Sequence, residues 1–478
     1  MNIKFLKVNK LSKVLIIFMS LISINLLYAQ APRVSINLKH GAHQLGKRTD
    51  QSMETWRNYG LGQFIHWGVY AIPGGQWNNK KYRGAAEWIR SWDGMPKDAY
   101  DNLYKQFNPK GFNAKAWAKQ AKHMGAKYVI LTTKHHDGFC LWPSKFTDYT
   151  IINTPYKKDI IGQLVDAYNE QNIDVYLYFS IIDWNHPGYR SVLKTEEDRK
   201  AYETFKVFTE NQLTELLNAY PTTKGLWFDG TWDSAWKEQA AFADSLDSKL
   251  RKMIPGLVIG ARFRPDEYGK RGFDSNGDII GDYEQGWERK MPNHIDDVHG
   301  NDWECVMTVP ENQWGYQSNW EGHIKTSNEL IEMIAKAVSL DGNFVLNFGP
   351  DGQGVIRSEE TQLAKEIGDW MEVNNEAIYN GSYLNWEKQD WGYYTKSRKT
   401  NKIYMIVCNV PVSGMLRVKT TDKIDVIKAS LIQEPTQGVD VEIIGKNEYF
   451  IHLKSFDFKK PFVLELETKL IQEGTEIH

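Results

Sequence analysis

The chain has 478 residues, which is enough for one large catalytic domain and a smaller one, because single hydrophobic cores stop growing at roughly 250–300 residues. Its 58 Lys and Arg residues are balanced by 60 Asp and Glu residues, for a net charge of −2. This balance argues against nucleic acid or an anionic membrane as the main partner, since both require a basic surface. The 18 Trp and 24 Tyr residues suit the C–H faces of sugars as well as a hydrophobic core.

Residues 1–31 have the pattern of a secretory signal peptide. Several lysines precede an apolar run from Val14 to Leu27, which ends at Ala29-Gln30-Ala31, a small-x-small cleavage site. The run is shorter than the ~20 residues of a comfortable membrane span, and no second apolar stretch follows. We therefore expect an exported protein, periplasmic or extracellular, with no membrane insertion after cleavage. A retained N-terminal anchor is the alternative.

Between about residues 50 and 375, apolar strand-like runs alternate with helical patterns. This alternation predicts a (β/α)8-like barrel within a catalytic domain of residues 32–375. The predicted strands are rich in Val, Ile, Leu and Tyr, as strands buried on both faces should be. They are Gly62 to Trp67, Lys127 to Thr133, Asp174 to Ser180, Gly225 to Asp229, Leu257 to Arg262, Ile279 to Glu284, Glu304 to Val309 and Phe344 to Asn347.

Helices are predicted between these strands. One begins after a capping Asn113 and ends near Gly125, a second covers Glu196 to Tyr220, and a third covers Ser327 to Leu340. After Val373 the pattern changes to short alternating runs separated by Gly, Pro, Asn, Asp and Lys. This pattern of short alternating runs predicts a C-terminal all-β sandwich domain over residues 376–478, packed against the barrel.

In a barrel of this class, the active site lies at the C-terminal ends of the strands. Histidines lie at the end of the first predicted strand, at His66, and just after the second, at His135-His136. Asp229 directly follows the apolar run Gly225 to Phe228, and Arg262 ends the next strand. A set of polar residues converging on one face is a stronger signal than any single one of them.

Hydrolysis of a glycosidic bond requires two carboxyl groups, one near the anomeric carbon and one that protonates the leaving oxygen. Asp229 is a candidate for the first role, although on position alone it could instead cap the next helix. Glu288 is a candidate for the second role, with Trp287 as an apolar wall that would raise its pKa. It could equally be a surface residue paired with Arg289. Rivals for the acid role are Asp282, Glu284 and Glu304.

The pair His135-His136 raises the question of a metal site. Consecutive strand residues point to opposite sides, so two adjacent histidines are poor ligands for one ion. The sequence contains no HExxH motif. We expect no metal and no cofactor, and we interpret His66 and His136 as hydrogen-bond partners of hydroxyl groups or as satisfied core histidines.

Four segments together resemble glycoside hydrolase family 29, the α-L-fucosidases. FIHWGVY at residues 64–70 resembles the family's FxHWGxY segment, and KHHDGF at residues 134–139 matches a family motif closely. WFDG at residues 227–230 is similar to the nucleophile strand of the family. DGNFVLNFGP at residues 341–350 resembles the segment that closes the barrel. The resemblance spans about residues 50 to 380.

The resemblance implies a retaining exo-glycosidase that releases terminal α-L-fucose from fucosylated glycans or glycoconjugates. Asp229 would form a covalent fucosyl-enzyme, and Glu288 would serve as acid and then as base, with the two carboxyls ~5–5.5 Å apart. Arg262 would lie at the edge of the site and could hold a carboxylate. The residues implied to contact fucose hydroxyls are His66, Glu87, Trp88, His135, His136 and Tyr178.

Fucose carries a methyl group in place of a C6 hydroxyl, so the site needs an apolar wall. The candidates for this wall are Trp227, Phe228 and Trp314. The chain departs from the family pattern around Glu288, where Thr-Pro is absent, and at Gly230-Thr231-Trp232, which we expect to alter one wall of the site. The alternative to an enzyme is a carbohydrate-binding protein on a glycosidase-like barrel, and a metal-dependent hydrolase is a third hypothesis.

Overall fold

The computed structural model describes residues 48–82, 84–91, 94–421, 424–453 and 458–470. The predicted signal peptide lies outside these residues. Within the described ranges, no helix is both long enough and apolar enough to cross a lipid bilayer.

The larger unit is a curled sheet of eight parallel strands, in the spatial order β5-β4-β3-β2-β1-β8-β7-β6. The edge strands β5 and β6 approach one another, and two main-chain hydrogen bonds join the segments around them, from Asp282 N–H to Ile259 O (2.9 Å) and from Ala261 N–H to Tyr283 O (3.0 Å). The predicted barrel class is therefore confirmed. The strands are β1 Leu61–Ile65, β2 Tyr128–Lys134, β3 Asp174–Ser180, β4 Gly225–Asp229, β5 Val258–Ile259, β6 Glu284–Glu288, β7 Trp303–Thr308 and β8 Gly342–Phe348.

Helices cover the outside of this sheet. The predicted caps are present: the Asn113 side chain accepts from Ala116 N–H, and Gly125 ends the same helix in the left-handed conformation (φ 94°). Thr326 and Glu329 form a capping box. The helices are α1 Gln51–Arg57, α2 Lys97–Asp101, α3 Ala114–Met124, α4 Ile160–Glu170, α5 Glu196–Ala219, α6 Ser234–Lys237, α7 Ala240–Met253, α8 Ser327–Ser339 and α9 Ser358–Asn374.

The strand predicted at Ile279 to Glu284 is wrong, because the strand here is β6, Glu284–Glu288. Residues 279 and 280 instead belong to a turn-rich segment, in which Ile279 makes an isolated antiparallel bridge with Phe273. Pairing with β7 begins only at Glu284. The sequence of β6 is EQGWE, which has no β-branched residue, so the strand pattern cannot reveal it.

The C-terminal unit is an antiparallel sheet of eight strands, which confirms the predicted all-β organisation. The long strand β14 pairs with β13 through its first part and with β15 through its second part, so the sheet folds along it. The two halves enclose one apolar core that includes Met405, Leu416, Ile451 and Leu464. The strands are β9 Gly381–Ser382, β10 Gly392–Ser397, β11 Ile403–Val407, β12 Met415–Lys419, β13 Ile424–Leu431, β14 Glu434–Gly445, β15 Glu448–His452 and β16 Phe462–Leu470, in the order β9-β10-β11-β16-β13-β14-β15-β12.

The two units share a core, as the sequence predicts. Tyr404, Ile406 and Val463 from the antiparallel sheet belong to the same buried cluster as the residues beneath α8 and α9. The indole N–H of Trp370 on α9 donates to the carbonyl of Pro461 at 2.6 Å. The antiparallel sheet therefore buttresses the helical side of the barrel.

Candidate active site

A cavity of about 250 Å³ opens at the C-terminal ends of the parallel strands. Its volume is below the roughly 300–1,000 Å³ of typical ligand pockets, so it suits a ligand of about one sugar ring. Nine of the twelve site residues predicted from the sequence line it, Tyr178 and Arg262 contact its carboxylates from behind, and Phe228 lies outside it. The lining residues are Phe64, His66, Ala85, Glu87, Trp88, His135, His136, Trp227, Asp229, Trp232, Glu288, Arg289 and Trp314.

Asp229 is the last residue of β4 and points into the cavity. Because side chains alternate along a strand, Trp227 and Asp229 share the inner face while Phe228 lies on the outer face. Phe228 packs on Phe263 with ring centroids 3.9 Å apart, so the expectation that it forms a wall of the cavity is wrong. The hydroxyl of Tyr178 donates to Asp229 Oδ2 at 3.0 Å.

Burial raises the pKa of Asp229, an effect that Arg262 opposes and the nearby charge of Glu288 reinforces. Arg262 Nη1 lies 3.3 Å from Asp229 Oδ1. His136 Nε2 lies 3.7 Å from Asp229 Oδ2. The carboxylate is thus held by Tyr178 and Arg262 and keeps one edge toward the cavity.

Glu288 ends β6 and lies beside Asp229, bound to the other nitrogen of the same guanidinium. Arg262 Nη2 is 2.6 Å from Glu288 Oε2. The expectation that Trp287 raises the pKa of Glu288 is wrong, since adjacent strand residues face opposite sides and Trp287 packs toward Trp303. Burial alone would raise the pKa of Glu288, but Arg262 and Arg289 outweigh burial and lower it.

The three rivals for the acid role have other environments. Asp282 is buried and paired with Arg251 at 2.8 Å. Glu304 lies under the cavity floor, where it accepts from the Trp227 indole at 2.9 Å, and burial raises its pKa to about 7. Glu284 begins β6, at the end of the strand opposite Glu288, and lines a different cavity. Glu288 is the only one of these four acids that lines the site.

Two histidines present nitrogen lone pairs to the cavity. His66 Nδ1 lies 2.5 Å from Asn347 Oδ1, and the Asn347 amide N–H donates to Trp314 O, which orients the amide. The Nδ1 of His66 is therefore the protonated nitrogen. Burial lowers the pKa of His66 to about 4, so the ring is neutral and its Nε2 is an acceptor.

His136 is also a neutral ring with its proton on Nδ1. Its Nδ1 lies 2.6 Å from Ser180 Oγ, whose own proton is donated to Ile182 O at 2.8 Å. The serine oxygen must accept from the histidine, so Nδ1 carries the proton and Nε2 is free to accept. Burial lowers the pKa of His136 to about 3. A neutral acceptor at this position suits a sugar hydroxyl.

One end of the cavity contains buried polar atoms that have no partner within the protein. Glu87 accepts from Gly315 N–H with Oε2 at 3.1 Å, but its Oε1 has no hydrogen-bond partner. His135 Nδ1 also has no hydrogen-bond partner within the described residues. Burial raises the pKa of Glu87 to about 7 and lowers the pKa of His135. Unpaired buried polar groups are costly, so this end of the cavity is prepared for a hydroxylated ligand.

The residues of the KHHDGF segment on either side of the two histidines make buried polar contacts that hold the segment in place. Lys134 and Asp183 form a buried ion pair at 2.9 Å, and Asp137 accepts from the Tyr100 hydroxyl at 2.7 Å. Gly138 adopts φ 86°, and a methyl group on it would lie 2.2 Å from Asp183 Oδ1. This turn therefore requires glycine both for its backbone and for the space that Asp183 occupies.

We expect Gly138→Ala to destabilise the protein by about 3 kcal/mol or more, because left-handed strain of about 1–2 kcal/mol adds to the displacement of a buried ion pair. Gly277→Ala is the matched control, since Gly277 has φ 88° and no atom within 4 Å of its added methyl. Urea unfolding measures both. Equal losses for the two variants would mean that contact with Asp183 contributes nothing.

Four lining residues were not among the predicted contacts, namely Phe64, Ala85, Trp232 and Arg289. Phe64 forms the floor, and its position two residues before His66 on the same strand face is the signal that points to it. Trp232 was expected only to alter a wall; its ring lies 6.2 Å from that of Trp88, nearly parallel, and edge-on to His136. Among the residues described, no three His, Cys, Asp or Glu side chains group as metal ligands.

The family model described as "Alpha-L-fucosidase" matches residues 34–376 of the chain. A human plasma α-L-fucosidase is 30% identical over 375 residues, which are 74% of this chain and 76% of that protein. The similarity therefore covers the barrel and the cavity at its mouth.

Two solved structures from Bacteroides thetaiotaomicron are more similar. The structure of a GH29 α-L-fucosidase is 48% identical, with a TM-score of 0.88 over 92% of this chain and 100% of that one. A second structure of a GH29 α-L-fucosidase from that organism, also 48% identical with a TM-score of 0.88 over 91% of this chain and 100% of that one, is a trapped covalent intermediate with 2-fluoro-fucosyl fluoride in a Glu-to-Gln variant.

Proposed function

Because the chain belongs to the α-L-fucosidase family of retaining glycoside hydrolases, we propose that Asp229 is its nucleophile and Glu288 its acid/base. The substrates are glycans or glycoconjugates with a terminal α-L-fucose. The trapped intermediate of the Bacteroides relative supports a covalent, double-displacement route.

The observation that carries this assignment is the shared guanidinium of Arg262. It binds Asp229 through Nη1 and Glu288 through Nη2, so two carboxylates from β4 and β6 face one cavity. A pair of carboxyls flanking a sugar-sized hollow is what a glycosidase requires. The rivals of Glu288, namely Asp282, Glu284 and Glu304, do not line this cavity.

In the first step, Asp229 attacks the anomeric carbon while Glu288 donates its proton to the departing oxygen. The pair must then carry one proton, on Glu288, and Arg262 stabilises the ionised Asp229. The bond from the anomeric carbon to the leaving oxygen breaks, and a bond to Asp229 Oδ forms. The Tyr178 hydroxyl, bonded to Oδ2, orients the attacking carboxylate.

In the second step, Glu288 takes a proton from water, and the water oxygen displaces Asp229. Formation of the ester removes the charge of Asp229, which leaves Glu288 as the anionic partner of Arg262 at this site. The guanidinium then favours the ionised form of Glu288, which is the form that acts as a base. The same arginine thus favours the ionised form of Asp229 in the first step and the ionised form of Glu288 in the second.

The remaining lining residues position the sugar. His66 and His136 accept from hydroxyls through their free Nε2 atoms, and Glu87 and His135 use the polar atoms that lack protein partners. Trp88, Trp227 and Trp314 supply aromatic faces on which the C–H edges and the methyl group of fucose can pack.

The catalytic domain that we propose covers residues 32–375, after a signal peptide of residues 1–31 that directs export to the periplasm or the extracellular space. The basic start, apolar run and small-residue cleavage site support this proposal. N-terminal sequencing of the exported protein should give Pro32 as the first residue. A first residue of Met1 would contradict it.

The proposed function predicts that 4-nitrophenyl α-L-fucoside is hydrolysed with retention. Proton NMR recorded within the first turnovers should show α-L-fucose before mutarotation produces the β anomer, because two displacements restore the starting configuration. β-L-Fucose as the first product would contradict double displacement. Binding of fucose without release of nitrophenol would favour the carbohydrate-binding alternative.

A further inference from the structure

Three charged side chains of the cavity become progressively more exposed to solvent from its floor to its mouth. The side chain of Asp229 is 15% exposed, that of Glu288 is 27% exposed, and that of Arg289 is 40% exposed. Arg289 lines the same cavity and follows Glu288 directly in the chain. A guanidinium therefore lies on the solvent side of the proposed acid/base.

The position of Arg289 is fixed by its surroundings. Its backbone adopts φ 56°, a left-handed conformation that is uncommon for residues other than Gly, Asn and Asp. Its N–H donates to Val306 O at 2.9 Å, and Nη1 donates to Asn312 Oδ1 at 3.2 Å. The guanidinium lies 5.7 Å from the centroid of the Trp314 ring. The strained backbone and these contacts hold the cation at the mouth.

The charge balance of Arg289 changes during the proposed reaction. Within the described part of the chain, Glu288 is its only carboxylate partner within 4.0 Å, at 3.7 Å. When Glu288 carries the proton that the first step needs, this partner is neutral. Arg262 remains paired with Asp229, whereas Arg289 then has no ionised carboxylate within 4.0 Å among the described residues.

The leaving group must occupy this region. The proton of Glu288 goes to the glycosidic oxygen, so the sugar attached to that oxygen lies beside Glu288 and outward from it, next to Arg289 and the Trp314 ring. A guanidinium binds carboxylate and sulfate oxygens through paired N–H donors, and an indole ring packs on a sugar face.

Resting on the proposed function, we propose that Arg289 selects fucosides whose neighbouring sugar carries an anionic substituent, either a carboxylate or a sulfate. Such a group replaces the charge that Glu288 loses on protonation. Arg289, Asn312 and Trp314 are the residues that form this leaving-group subsite.

The test compares three disaccharides: fucosyl-N-acetylglucosamine, its 6-O-sulfate and fucosyl-glucuronic acid. With the wild-type enzyme, kcat/KM for at least one anionic substrate should exceed that for the neutral one by about fivefold or more, as expected for a partly exposed ion pair of about 1 kcal/mol. The preference should shrink at 1 M salt, where the Debye length is about 3 Å. The two anionic arms distinguish sulfate from carboxylate.

Arg289→Met should reduce the anionic-to-neutral ratio to about one, and Arg289→Lys should retain part of it, each variant being assayed at its own pH optimum. Lys290→Met is the matched control, because Lys290 is the next residue and its ammonium lies over the Trp287 ring, outside the cavity. It should leave the ratio unchanged. A wild-type ratio of one or below, or a ratio that Arg289→Met leaves intact, overturns the proposal. If the wild-type enzyme hydrolysed neither the three disaccharides nor the nitrophenyl fucoside, the proposed function would be overturned instead.

Discussion

Asp229→Ala is expected to lower kcat/KM for 4-nitrophenyl α-L-fucoside on the order of 10³-fold or more, because the covalent route is lost. The fold should survive, since Asp229 lies at the end of β4 and its side chain faces the cavity. The measurement is steady-state release of nitrophenol, with thermal unfolding as the check on folding. Asp233→Ala is the matched control: this acid lies four residues later and outside the cavity lining, and activity should be retained.

Azide sharpens this test. In Asp229→Ala, azide can enter the space left by the carboxylate and displace the leaving group in one step, which inverts the configuration. The expected product is β-L-fucosyl azide, identified by NMR. Turnover close to that of the wild-type enzyme, or rescue that gives the α anomer, would show that another residue is the nucleophile.

The second large effect is expected for Glu288→Ala, and it should depend on the leaving group. Substrates with poor leaving groups need a proton from Glu288 and should lose roughly 10²–10⁴-fold in kcat/KM. A dinitrophenyl fucoside, whose leaving group needs no proton, should form the intermediate at close to the normal rate and then hydrolyse slowly. The measurement is kcat/KM across a series of aryl fucosides.

Azide should again report on the mechanism, with the opposite stereochemistry. In Glu288→Ala the nucleophile is intact, so azide attacks the fucosyl-enzyme and yields α-L-fucosyl azide. Glu284→Ala is the matched control, because Glu284 is on the same strand but lines another cavity. Equal damage to all leaving groups at Glu288, with azide rescue at Glu284, would assign the acid/base role to Glu284.

The fold follows closely from the sequence wherever strands consist of apolar β-formers. The strands β2, β3 and β4 carry runs such as YVILTTK and DVYLYFS that are buried along nearly their whole length, so their position and the polar residues after them could be predicted. The position of β6 could not be predicted, because its EQGWE sequence contains no β-branched residue. This strand is held in place by its pairing with β7.

The weak sequence signal of β6 also limits which properties of the site could be predicted. Asp229 ends β4, a strand that its apolar sequence predicts, and the Asp229 side chain points into the cavity. Glu288 lines the cavity, but the expected direction of its pKa shift is wrong, because Trp287 faces away and two arginines from different segments outweigh burial. The two contacts of Arg262 form only because the segment after β5 lies close to the ends of β4 and β6. No local sequence pattern predicts such proximity between distant segments.

The barrel wall is incomplete where β5 ends after two residues and β6 begins 25 residues later in the chain. Only the lower part of this seam is joined by main-chain hydrogen bonds. Higher up, the guanidinium of Arg262 connects β4, which ends in Asp229, to β6, which ends in Glu288. The guanidinium thus helps to close the barrel where main-chain pairing is missing, and the same two contacts set the distance between the Asp229 and Glu288 carboxylates.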